Sequence, residues 1–230
     1  MMISVLFTEC NSQEPADNDF QKRRENMVFT QIKARGVHDK KVLDAMLKVE
    51  RHRFVPEEYI EEAYEDHPLP VGEGQTISQP YIVAYMTEVL DLDKASRVLE
   101  VGTGSGYQAA VLAEICDSVY SIEIFSSLAD KAKKTLESLN YTNVFIKTGD
   151  GYKGWKEHSP FDAIIVTCAP SHIPDPLQEQ LAEGGRMIIP VGEHYSQELV
   201  LLEKVNGKLK QKYVLPVRFV PMIDEKGTKY

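Results

Sequence analysis

The 230-residue chain has room for one domain with a sizeable buried core, and its 43% hydrophobic and 27% charged content are ordinary for a globular protein. A net charge of −9 argues against a large nucleic-acid-binding face, which needs a basic surplus, and no apolar run is long enough to cross a bilayer. Cys10, Cys116 and Cys168 are widely spread, and neither they nor the six histidines fall at ligand spacing, so no disulfide framework and no metal site is expected.

In chain order, MMISVLFTECNSQEP carries a short apolar stretch with no Lys or Arg before it, which makes a poor signal peptide. The expected compartment is the cytoplasm, with export through a lipoprotein-type start ending at Cys10 as the alternative. Residues 1–19, polar and containing Pro15, read as a disordered tail, and residues 20–230 as a single domain. Within it, residues 20–80 should hold N-terminal helices and a loop, and residues 81–230 a core with C-terminal strands. Met27 and Ile32, then Val37, Val42, Met46 and Val49, recur at helical spacing, with Gly36 separating two helices. RHRFVPEEYIEEAYEDHPLP then runs into Pro68, Pro70, Gly72 and Gly74 and reads as a long loop, closed by Ser78-Gln79-Pro80 at the start of a helix over Tyr81–Leu90.

Strands and helices then alternate. RVLEV, SVYSIEI, NVFIK, FDAIIVT and RMIIPV read as strands, with helices at Tyr107–Cys116, Ser126–Leu139 and near Asp175–Leu181. Val/Ile-rich strands alternating with helices predict an α/β fold: a doubly wound, mostly parallel sheet covered on both faces. ELVLLEKV and LKQKYVLPV flank Asn206-Gly207, a two-residue hairpin signal, so the sheet should finish with an antiparallel hairpin.

The turn after RVLEV carries Gly102, Gly104 and Gly106, with Thr103 and Ser105 between them. Glycines there permit positive φ and let a ligand approach the backbone. The spacing is GxGxG rather than the GxGxxG of dinucleotide sites, and no Lys stands at the position a triphosphate loop requires. Glu100, Glu123 and Asp150 all fall at carboxyl ends of predicted parallel strands, the ligand edge of such a sheet, and Glu123 is placed to accept hydrogen bonds from ribose hydroxyls. A carboxylate-lined site without Arg or Lys in its loop suits a cationic ligand lacking phosphates. S-adenosylmethionine is such a ligand; NAD is not.

EVGTGSG, SIEI and GDG…FDAIIVT resemble the successive motifs of class I S-adenosylmethionine-dependent methyltransferases, which have a Rossmann-like fold. RHRFVPEEY and GEGQTISQPYIVAYMTEVL upstream, with LAEGGRMIIPVG and PVRFVPM downstream, are similar to the protein-L-isoaspartate O-methyltransferase family. The resemblance runs from about Val28 to Met222; the tail DEKGTKY lies outside it, and Ile124 stands where eukaryotic members usually carry a polar side chain. It implies methylation of the free carboxylate of L-isoaspartyl residues in damaged proteins, giving S-adenosylhomocysteine and an ester that collapses to a succinimide. Isoaspartyl peptides and proteins would be the partners, with no nucleic acid, no membrane and a monomeric enzyme. The alternatives are a class I methyltransferase for another carboxylate or small molecule, and a non-catalytic S-adenosylmethionine-binding protein.

The resemblance assigns Ser78 to the active site and gives the Val220 backbone a role in pairing with the bound peptide. Thr76, Ile77 and Gln79 would wall off the cofactor, which Glu100, Gly102, Thr103, Gly104, Ser105, Gly106, Glu123, Ile124, Asp150 and Gly151 would bind. An acceptor carboxylate is already ionised at neutral pH, so no general base is required, and in-line positioning with desolvation should carry catalysis. Ser78 can hydrogen-bond one carboxylate oxygen and aim the other; its position before Pro80 also suits a helix N-cap. Cys168 reads as a packing residue, His52 as structural or surface, and His172 as uncommitted.

Overall fold

The structure, a computed structural model, describes residues 14–193 and 196–230. The expectations for Cys10 and the rest of residues 1–13 lie outside the described residues. Helix α1 (Glu14–Asn26) begins inside the stretch read as a tail, which corrects that expectation for residues 14–19. Tertiary contacts explain the difference: Phe20 stacks on His52 with ring centroids 4.3 Å apart, and Arg23 reaches Glu61 at 3.0 Å. His52 thereby has a structural place, its Nδ1 lying 2.8 Å from the Tyr64 hydroxyl.

The chain continues through a π-helical turn (Met27–Ile32) that buries Met27, Val28 and Ile32, and ends at Gly36 with φ +98°, a left-handed conformation that a Cβ disfavours. Helix α2 (Lys40–Lys48) starts at Asp39, whose carboxylate accepts from the backbone N–H of Lys41 at 2.7 Å, a local N-cap. Val42, Ala45 and Met46 are its buried face, as their spacing requires.

The punctuated segment is more ordered than a loop. Two 3-10 turns (Arg51–Phe54 and Glu57–Glu62) lead into a small antiparallel pair, β1 (Leu69–Gly72) and β2 (Gln75–Ile77). Glu73 and Gly74, both at positive φ (52° and 67°), make the connection, the conformation that suits two-residue hairpins. Leu69, Val71 and Ile77 go into the core. Helix α3 (Pro80–Val89) follows directly.

The main sheet holds β3 (Arg97–Val101), β4 (Ser118–Glu123), β5 (Val144–Thr148), β6 (Phe161–Val166), β7 (Leu181–Glu193), β8 (Ser196–Val205) and β9 (Lys208–Val217). Its order is β5-β4-β3-β6-β7-β8-β9, parallel through β7 and antiparallel for β7–β8 and β8–β9. Helices α4 (Tyr107–Ala113), α5 (Ser126–Ser138) and α6 (Asp175–Gln180) fall between the parallel strands. The central strands are buried on both faces, which is why RVLEV and FDAIIV are nearly continuous apolar runs. Asn206 and Gly207 turn between β8 and β9 with φ of 54° and 70°. The doubly wound, mostly parallel sheet with a C-terminal antiparallel hairpin is thus the observed architecture.

This order sets the site. From β3 the chain winds outward through β4 to β5 and then returns to β6 on the other side of β3. Winding reverses between β3 and β6, and a crevice opens at their carboxyl ends.

Candidate active site

Where β3 ends, the backbone turns through Gly102, Gly104 and Gly106, with φ of +98°, +54° and +87°. Gly102 is required twice over. Besides its φ, a Cβ there would lie 2.4 Å from Thr167 Oγ1, which donates to the carbonyl oxygens of Val101 (3.1 Å) and Gly102 (2.8 Å). Gly106 begins α4 and faces Ala132 and Leu136 of α5, so it serves helix packing rather than the cavity. Gly151 is also confined: a Cβ would meet Val101 Cγ1 at 2.4 Å.

The carboxylates are tied into this loop. Glu123 Oε2 accepts from the Gly104 N–H at 2.7 Å, and Oε1 accepts from the Phe125 N–H at 3.1 Å. Burial pushes the Glu123 pKa up, and these backbone donors pull it back. Behind the loop, Thr103 Oγ1 lies 2.5 Å from Ser121 Oγ, which is bonded in turn to Glu100 Oε2. Glu100 is fully buried, and its Oε1 has no hydrogen-bond partner among the described residues. Loss of hydration pushes its pKa up to about 8; the Ser121 bond opposes the shift and the nearby Glu123 charge adds to it.

A cavity lies over this loop. Of the residues expected to bind cofactor, Thr76, Gly102, Gly104, Glu123, Ile124 and Gly151 line it. The others stand outside its wall. Ile77 is a core residue, and Gln79 donates to the Asp66 carbonyl and carboxylate at 3.0 and 2.9 Å. Glu100 and Thr103 lie beneath the loop, and Ser105 Oγ accepts from the Tyr107 N–H at 3.3 Å. Asp150 is buried and caps the turn that starts at Gly151, accepting from the Tyr152 N–H at 3.0 Å. Sequence reasoning missed Gln75, Phe125, Thr167, Met222 and Ile223 in the wall. Position after a strand end was the available signal for Thr167; none pointed to Ile223, beyond the resemblance. Cys168 also lines the cavity, and burial pushes its thiol up to about 12, so it is no nucleophile at neutral pH.

A second cleft, of about 520 Å³, is lined by Ser78, Gln79, Arg35, Tyr81 and the 215–220 strip. Thr76, Thr167 and Val220 line both cavities, so the two meet along that wall. Ser78 sits between β2 and α3 on the second side. Gln79 occupies the N-cap position of α3 and Pro80 its first turn, with no side-chain cap bond, so Ser78 does not cap this helix. Phe219 donates its N–H to Gln197 Oε1 (2.6 Å) and accepts from Gln197 Nε2 (3.1 Å), so one buried amide replaces a strand partner. The Val220 carbonyl accepts from the Ala169 N–H at 2.8 Å. His172 Nε2 lies 3.1 Å from the Tyr152 hydroxyl, and His172 lines neither cavity.

The glycine cradle, the Glu123 carboxylate in the wall and the lack of Lys or Arg among the described lining residues fit S-adenosylmethionine. They do not fit a dinucleotide, whose phosphates need donors or cations. Together with the winding of the sheet, they define a class I S-adenosylmethionine-dependent methyltransferase.

Residues 22–227 match the protein-L-isoaspartate(D-aspartate) O-methyltransferase family, and the chain belongs to it. It is 52% identical over 209 residues to protein-L-isoaspartate O-methyltransferase 1 of Syntrophobacter fumaroxidans, covering 91% of this chain and 98% of that one. Identity to the protein-L-isoaspartate O-methyltransferase of Gloeobacter violaceus is 54% over 205 residues, covering 89% of this chain and all of that one. Among solved structures, a protein-L-isoaspartate O-methyltransferase superposes with a TM-score of 0.81 at 35% identity over 89% of this chain and 67% of that one. A Plasmodium falciparum protein described as a member of the same family, in complex with S-adenosyl-L-homocysteine, gives a TM-score of 0.76 at 29% identity over 88% and 97% of the two chains.

Proposed function

We propose that the chain methylates the free carboxylate of L-isoaspartyl residues in damaged proteins, with S-adenosylmethionine as methyl donor, and so initiates their repair. The observation that carries this reading is the shared wall: Thr76, Thr167 and Val220 separate a carboxylate-bearing cofactor cavity from a peptide-sized cleft that holds Ser78.

Gly102, Gly104 and Gly151 leave the backbone open to the cofactor, and Glu123 offers it a carboxylate. When bound, S-adenosylmethionine supplies an electrophilic methyl group on a sulfonium centre. Ser78 donates a hydrogen bond to one oxygen of the acceptor carboxylate and leaves the other to face the shared wall. The Val220 backbone pairs with the extended peptide, on a strip that Gln197 holds straight through Phe219. No residue needs to remove a proton, because the acceptor is ionised at neutral pH. Anion and cation neutralise each other along the reaction, so walls such as Ile124 and Val220 assist by excluding water.

This reading takes the chain as one catalytic domain, monomeric and cytoplasmic, acting on proteins rather than nucleic acid or membranes. Among the described residues, no helix is long and apolar enough to cross a membrane, and no group of three or more His, Cys, Asp or Glu is placed to hold a metal ion. The test is transfer of a labelled methyl group to an isoaspartyl peptide and to the matched aspartyl peptide. Label confined to the isoaspartyl peptide is expected; equal labelling of both, or of neither, overturns the assignment.

A further inference from the structure

The family match ends at residue 227, short of Tyr230, yet the segment after Met222 forms part of the cofactor cavity. Met222 and Ile223 line that cavity. Beyond them the chain folds back as a small hairpin in which Ile223 pairs with Lys229. Asp224 holds its turn: the carboxylate Oδ1 accepts from the N–H groups of Lys226 and Thr228, both at 2.8 Å. These backbone bonds hold the Asp224 carboxyl below its ordinary range.

The hairpin brings Tyr230 back against Met222, Ser171 and Tyr152, beside the residues that line the cavity. Its N–H donates to the Met222 carbonyl at 3.1 Å, and its carbonyl accepts from the Ser171 N–H at 3.0 Å. Its ring stacks on Tyr152 with centroids 4.1 Å apart and planes 17° from parallel. Its hydroxyl donates to Asp150 Oδ2 at 2.6 Å. Asp150 is the hinge of the arrangement. Oδ1 caps the turn that begins at cavity-lining Gly151, and Oδ2 takes both Tyr230 and, at 3.2 Å, Lys153 Nζ. A carboxylate oxygen accepts about two hydrogen bonds, so Oδ2 is filled from outside the cavity and Oδ1 keeps one free acceptor position.

We propose that Tyr230 is a positioning residue of the cofactor site: through Asp150 it fixes the Gly151 wall, while the hairpin that carries it fixes Met222 and Ile223 opposite. The ligand then meets a preformed cavity instead of ordering that wall itself. This rests on the reading of the cavity over the glycine loop as the cofactor site.

The experiment is calorimetric binding of S-adenosylhomocysteine to the full chain and to Tyr230→Phe, which removes one hydroxyl and keeps the stack. Methyl-transfer KM for an isoaspartyl peptide and thermal stability are measured on the same proteins. The variant should bind about fivefold more weakly, the scale of one charge-assisted hydrogen bond acting indirectly. Its KM for peptide should stay within twofold. Asp224→Ala, which loosens the hairpin turn but keeps the phenol, should weaken binding in the same direction and add little on top of Tyr230→Phe. A Kd within twofold of the original overturns the proposal. So does tighter binding, which would mean that the phenol competes with the ligand for Asp150. Weakened ligand and peptide binding in equal proportion, with a large fall in Tm, would reveal general loosening and also overturn it. If the unaltered chain fails to bind S-adenosylhomocysteine at all, the cofactor reading itself falls, and the proposal with it.

Discussion

Replacing Glu100 by Gln tests the electrostatics beneath the glycine loop. Glu100 is fully buried, with one oxygen bonded to Ser121 and the other without a partner among the described residues. Burial lifts its pKa from 4.5 to about 8, so across most of that range the folded chain holds a proton that the unfolded chain has released. The unfolded state then binds fewer protons, and stability falls as pH rises. The loss is about 1.4 kcal/mol per pH unit, and on the order of 5 kcal/mol by pH 8. Glutamine keeps the shape and a hydrogen-bonding atom for Ser121 but never ionises. With a urea slope of about 2.5 kcal/mol/M, the two proteins should unfold at similar urea concentrations at pH 5. By pH 8 the variant's midpoint should lie higher by up to about 2 M. Urea titrations at pH 5, 6, 7 and 8 read this directly. Parallel midpoint profiles, or an original protein that gains on the variant as pH rises, would refute the reasoning.

Two further outcomes are expected. Ser78→Ala should lower kcat roughly 10- to 100-fold, the scale of one hydrogen bond to a charged group, with S-adenosylhomocysteine affinity within twofold. Normal turnover would refute the role given to Ser78. Gly102→Ala should cost about 2–3 kcal/mol: roughly 1–2 for a side chain held at positive φ and about 1 for disturbing the Thr167 bonds. That amounts to a Tm lower by about 4–12 °C together with weakened S-adenosylhomocysteine binding; a Tm within 2 °C would refute it.

The parallel sheet was legible because its central strands are covered on both faces, so RVLEV and FDAIIV show themselves as apolar runs without needing any partner's sequence. Asn206-Gly207 was legible because the turn requires positive φ at both positions. The β1–β2 hairpin was hidden for the converse reason. Its turn uses Glu73 at positive φ, which no residue preference signals, while Pro70 and Gly72 read as breaks although they lie within a strand. Residues 14–19 were misread because α1 draws its support from His52 and Glu61, far along the chain. In the site, the glycines and Glu123 announced themselves by spacing. Thr167 did not, because its contribution is a hydroxyl bonded to two carbonyl oxygens of the neighbouring strand end, a relation that exists only once β6 lies beside β3.

Glu123 shows why a cofactor contact and a structural role are not rival explanations at this edge of the sheet. Its spacing after the glycine loop suggested a carboxylate reserved for ligand hydroxyls, whereas its oxygens already accept backbone N–H groups, from Gly104, Phe125 and Ile124. Two acceptor positions per oxygen, against these three donors, leave room for a ligand. The bond to Gly104 pins the loop at the residue whose positive φ gives the loop its shape, and Gly104 and Glu123 both line the cavity. A ligand that engages the free positions therefore meets a carboxylate whose direction the loop has set and a loop whose shape the carboxylate has set. Removing either partner should damage both, so Gly104 and Glu123 form one functional unit.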